Sequence, residues 1–140
     1  MNGDLELCGA RLQVGPSAKE TAGVPAGTAI YLHGQRTDGS AFEVVSTAAS
    51  SLDLVNATAS PFGDQPLLLG FDVGVWFTTI DVHGAHAGPD GVARLDATLN
   101  PALLATFEAR TKLAGALYVD ADGSGLLEQT ERMPVAVSQP

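Results

Sequence analysis

The sequence predicts a mainly β domain, an antiparallel β-sandwich or partly open barrel with one α-helix at about residues 101–114. Three observations predict it. Short runs of β-forming residues recur between Gly-, Pro- and Asp-rich turns. Apolar Leu67, Leu69, Phe71, Val73, Val75 and Phe77 alternate in the strongest period-two signal of the chain. A helix-start signal, Asn100-Pro101, stands before a segment whose apolar residues share one helical face.

The elements follow in order. Arg11 to Val14 alternates, with Leu12 and Val14 on one face, and Ser17 to Gly27 reads as a loop. Thr28 to His33 is a strand, Asp38-Gly39 a hairpin turn that accepts positive φ, and Phe42 to Ser46 the partner strand. Leu52 and Leu54 alternate with polar neighbours in a further half-buried strand. Pro61-Phe62-Gly63-Asp64 is a turn into the long alternation, whose glycines mark a bulge or bend. Thr78 to His83 continues extended, Gly88-Pro89-Asp90-Gly91 turns, and Val92 to Leu95 returns. Asn100 caps the helix and Pro101 fills its first position, where no N–H is needed. Leu103, Leu104 and Phe107 share a face, and Gly115 is the stop. Ala116 to Val119 is favoured as a strand over a helix continuing to Val119, although Leu117 and Tyr118 fit the helical face. Pro134 to Val137 reads as a last edge strand.

At 140 residues the chain fits one domain and is long enough to bury a core without staples. Its net charge is −9, with two lysines and five arginines. That balance argues against nucleic acid, which needs a basic stripe, and makes cations the natural counterpart. No run approaches the about 18 apolar residues of a membrane span. The single cysteine, Cys8, cannot form an intrachain disulfide and reads as a buried, inert thiol.

The chemistry concentrates in Asp120-Ala121-Asp122-Gly123-Ser124-Gly125-Leu126-Leu127-Glu128-Gln129-Thr130-Glu131. Calcium is a hard cation that takes roughly six to eight oxygen ligands in flexible geometry. Asp120, Asp122 and Ser124 offer side-chain oxygens at alternate positions, and Gly125 permits a sharp turn. Leu126 offers its carbonyl, Glu128 an oxygen directly or through water, and Glu131 both carboxylate oxygens. Leu127 is expected to pack inward.

This pattern resembles an EF-hand calcium loop, over these twelve residues only. The resemblance implies Ca2+ as the cofactor. The flanks depart from the family, because Pro134 stops any following helix and the preceding segment reads as strand. No second loop pairs with this one, so the implication is metal binding without helix-opening switching. The chain as a whole is similar to uncharacterised bacterial exported β-domains with such a loop. A lone, weak calcium site fills where calcium is plentiful, which implies an extracellular or periplasmic location.

Other constellations are sparser. His83 and His86, with Asp81, offer an alternative copper or zinc site if Gly84 turns the chain. No nucleophile elbow, zinc-protease helix or phosphate-cradling loop is present, so a non-catalytic protein is expected. Trp76 and Tyr31 read as core, or as a groove for a protein or glycan partner. Exposed strand edges offer a route to self-association.

Overall fold

The computed structural model describes residues 9–56 and 65–139. Cys8 and the Pro61–Asp64 turn lie outside the described residues. The chain is mainly β, with eight strands in two sheets and two helices among the described residues. It divides into two compact units. No described helix is long and apolar enough to cross a membrane.

The first unit comprises residues 9–12, 51–56, 65–75 and 112–139. It holds a five-stranded sheet in the order β1-β4-β8-β7-β5. These strands are β1 (Gly9–Val14), β4 (Ser50–Asn56), β8 (Ala136–Ser138), β7 (Gly115–Val119) and β5 (Leu67–Phe71). The pairs β4–β8, β8–β7 and β7–β5 are antiparallel. Leu54, Leu117 and Ala136 form the core, with Ala10, Leu12 and Val135 against it. Alternation puts Leu52 and Leu54 on one face of β4, and both are almost fully buried.

The second unit comprises residues 13–50 and 76–111. Its sheet runs β2 (Ile30–Gln35), β3 (Ala41–Ser46), β6 (Ala93–Leu95). The Asp38-Gly39 turn joins β2 to β3 as predicted, with Gly39 at φ +82°. Helix α2 (Pro101–Arg110) buries Leu104 and Phe107. The Phe107 ring meets Trp76 edge to face at 5.7 Å and Phe77 at 5.5 Å. Trp76 is therefore a core residue, and the Tyr31 hydroxyl is engaged by Glu43 at 3.2 Å.

Several predicted elements differ. The long alternation stops at Phe71, and Val73–Phe77 forms a short helix, α1. Asp72 is the cause: its carboxylate accepts the Gly74 N–H at 3.0 Å and its carbonyl the Val75 N–H at 3.1 Å. Residues 78–83 turn instead of extending, because the Asp81 carboxylate accepts the N–H groups of His83 and Gly84 at 3.1 Å. β6 runs parallel to β3, so the second sheet is mixed. The helix ends at Arg110, where the Thr111 hydroxyl donates to the Glu108 carbonyl at 2.8 Å. Ala114, at φ +68°, makes the left-handed turn assigned to Gly115. Gly115 opens β7, where a Cβ would stand 2.5 Å from Leu52 Cδ2. β8 is an interior strand between β4 and β7, and the edge position predicted for it is wrong.

Candidate metal centre

The strand β7 delivers Asp120 to the site. Its N–H donates to the Pro66 carbonyl at 2.9 Å, carrying the β5–β7 ladder one step past Val119. Asp120 is 4% exposed, and a buried carboxylate needs donors. It has two: Oδ1 accepts the Ser124 N–H at 3.0 Å and Oδ2 the Gly125 N–H at 2.9 Å. The loop curls enough to aim these amides inward because Gly123 and Gly125 take φ of +70° and +73°. Asp122 is exposed, and its Oδ1 shares the Ser124 N–H at 2.9 Å. That N–H first, and the Ser124 hydroxyl second, hold the Asp122 carboxyl below the usual carboxylate range.

Glu131 arrives from the other end of the loop. A single 3-10 turn, Gln129–Glu131, points it back. Its Oε1 accepts the Ala121 N–H at 2.7 Å and its Oε2 the Glu128 N–H at 3.2 Å. The loop is thereby closed across ten residues of chain.

Asp120, Asp122 and Glu131 each offer a carboxylate oxygen within 4.8 Å of the others, a group that could bind a metal ion. At such spacing each like-charged pair repels by roughly 1–4 kcal/mol, depending on local solvation. The backbone N–H donors offset part of this, and a cation would offset more. Ser124 and Leu126 lie alongside, the Ser124 hydroxyl within 3.2 Å of the Leu126 carbonyl. Glu128 does not join the three converging carboxylates. Leu127 is exposed, contrary to its expected inward packing.

The strand before the loop and the 3-10 turn after it agree with the expected absence of flanking helices. The loop's amide donors, from Ala121 and Gly125 especially, are not evident from residue type. Their only sequence signal is the pair of glycines at 123 and 125.

The histidine alternative finds less support. Among the described residues, the acidic trio is the only set of three His, Cys, Asp or Glu ligands that converges. Asp81 is turned to backbone amides, and His83 Nε2 lies 3.3 Å from Thr37 Oγ1. His86 and Asp81 line a cleft of about 340 Å³ beside the start of α2, with Leu99, Asn100 and Leu103. Comparison with protein-family models, with curated proteins and with solved structures finds no match for this chain.

Proposed function

We propose that this is a calcium-binding, non-catalytic β-domain in which Ca2+ held by the 120–131 loop stabilises the C-terminal region. The convergence of Asp120, Asp122 and Glu131 carries the reading. An oxygen-only set of mixed carboxylate, hydroxyl and carbonyl groups suits a hard cation over copper or zinc. Ser124, Leu126 and Glu128 complete the proposed ligand set, Glu128 through water. The biological task in this reading is binding, adhesion or assembly with a protein, a glycan or a second copy. A lone site of this kind has Kd on the order of 0.1–1 mM, so the proposal sets the protein in an extracellular or periplasmic compartment.

The test is a thermal melt in chelator and in calcium at roughly 10–100 mM, a hundredfold above such a Kd. At a hundredfold excess over Kd, an ion bound only by the folded state adds about 2.7 kcal/mol. For a chain of this size that is a rise in Tm on the order of 10 °C. Asp122→Asn and Glu131→Gln should lose most of the rise. Asp122→Asn is the cleaner probe, because Asp122 is exposed, whereas the Asp120 and Glu131 carboxylates each also accept two backbone amides. An unshifted parent melt would defeat the proposal.

A further inference from the structure

We propose that the chain pairs with a second copy of itself along the outer edge of β5, as an antiparallel strand pair with its two-fold axis at Leu68. This names a partner for the assembly part of the reading above and does not depend on its ion.

β5 ends the order β1-β4-β8-β7-β5, with β7 on one side and no described strand on the other. The ladder fixes which of its backbone groups face outward. The Pro66 carbonyl accepts the Asp120 N–H at 2.9 Å, and the Asp72 N–H donates to the Ala114 carbonyl at 3.0 Å. Residues 66, 68, 70 and 72 therefore turn their backbone groups to β7. Alternation turns the N–H and C=O of Leu67 and Leu69 to the open edge.

The side chains at this edge are an unfinished core face. Leu69 stands opposite Leu117, which packs with Leu54 and Ala136, and Leu67 stands opposite Val119. Opposite residues share a face, so Leu67 and Leu69 carry that apolar face outward. They are 38% and 41% exposed. Sheet edges in monomers are usually blunted by charge, proline or a bulge. β1, at the other end of the sheet, carries Arg11, ion-paired with Asp53. β5 reads Leu67-Leu68-Leu69-Gly70-Phe71, with no charge and an unbroken register to β7.

Self-complementarity makes a second copy the fitting partner. With the axis at Leu68, Leu67 stands opposite the second copy's Leu69, and Leu69 opposite its Leu67. Both are hydrogen-bonded pairs, each exchanging N–H and C=O across the edge. The half-exposed leucines of both copies then meet on one face. An axis perpendicular to the sheet keeps the two apolar faces on the same side, whereas a two-fold along the strands would turn them apart. The charge of −9 on each copy opposes the pairing, so salt should tighten it. A single edge pair is small beside the roughly 1,200–2,000 Å² of stable interfaces, so the dimer is weak and reversible.

Sedimentation of the full chain in chelator, from about 10 µM to about 1 mM protein, tests it. The parent should shift toward dimer with concentration, and at lower concentration when salt is raised. Leu69→Lys should weaken association about tenfold or more, since each dimer receives the charge twice. Leu67→Lys, at the start of the strand, serves if that variant fails to fold. Met133→Lys, at an apolar side chain 80% exposed outside β5, should leave association unchanged. Disulfide trapping with oxidised glutathione in a Cys8→Ser background reads the register. Copies of residue 68 stand about 4.5 Å apart at Cα, within disulfide reach, while copies of residue 67 lie on a longer diagonal. Leu68→Cys should therefore cross-link faster than Leu67→Cys. A parent that stays monomeric to about 1 mM would overturn the proposal. So would a dimer that tolerates both β5 lysines, or one that Met133→Lys weakens as much. Faster trapping at residue 67 would overturn the axis at Leu68. The calcium reading is decided separately, by the melt.

Discussion

Asn100→Asp separates two roles for one residue. As a helix cap, Asp is as good as Asn, so a capping role predicts a change within about 0.5 kcal/mol. The structure gives Asn100 a different task, since its side chain makes no cap bond to α2. Its Nδ2 donates to the His86 carbonyl at 2.9 Å and the Arg94 carbonyl at 2.6 Å, and its Oδ1 accepts the His86 N–H at 2.9 Å. Asn100 is 6% exposed, so these groups have little water to turn to. A carboxylate keeps the acceptor and replaces both donated bonds with oxygen facing oxygen. Two lost bonds at about 1 kcal/mol each, with the carbonyls left unsatisfied, give about 3 kcal/mol or more. Attraction of the new charge to the helix N-terminus returns about 1 kcal/mol at most. The net expectation is a loss of about 2–4 kcal/mol. Trp76, the only tryptophan and a buried neighbour of Phe107, reports unfolding of this unit in urea. The loss should shrink as pH falls, because burial and the facing carbonyls raise the new carboxyl's pKa and its protonated form donates again. A variant within about 0.5 kcal/mol of the parent at neutral pH would refute the bracket role and restore the cap.

Three more expectations are simpler. Phe107→Ala should cost about 3–5 kcal/mol in the same urea assay, because a fully buried ring between Trp76 and Phe77 leaves a cavity. Gly115→Ala should cost about 1–3 kcal/mol by overpacking against Leu52, and a thermal melt of the first unit checks it. The Asp90 carboxyl is held below the usual carboxylate range, first by its side-chain bond to Arg94 and then by the Val92 N–H. Its folded pKa being lowered, the stability it contributes is whole above the ordinary carboxylate pKa and lost as pH falls through the folded value. Urea midpoints between about pH 6 and pH 3 should therefore drop less in Asp90→Asn than in the parent.

Much of the β architecture was legible because it rests on local chemistry. β2, β3 and their turn were readable from β-forming runs around Asp38-Gly39, and β4 from Leu52 and Leu54. β7 is a strand and not an extension of the helix, as the sequence favours. The reading failed where one polar side chain redirected the backbone. Asp72 and Asp81 bend the chain by accepting amides two or three residues ahead, and no period of apolar residues reveals that. Of the acidic loop, Asp120, Asp122 and Glu131 converge, whereas Glu128 stays apart and Leu127 faces solvent.

Residue type and spacing by themselves determined the mainly β character, the start of α2 and the acidic loop, since each depends on neighbours a few positions away. Tertiary structure alone decided that β8 lies inside a sheet, that β6 runs parallel to β3 and that Gly115 is reserved for Leu52. Those outcomes depend on partners far along the chain. A strand's own sequence carries its faces and its propensity, but its neighbours are set by which buried side chains and unpaired amides the rest of the fold brings beside it.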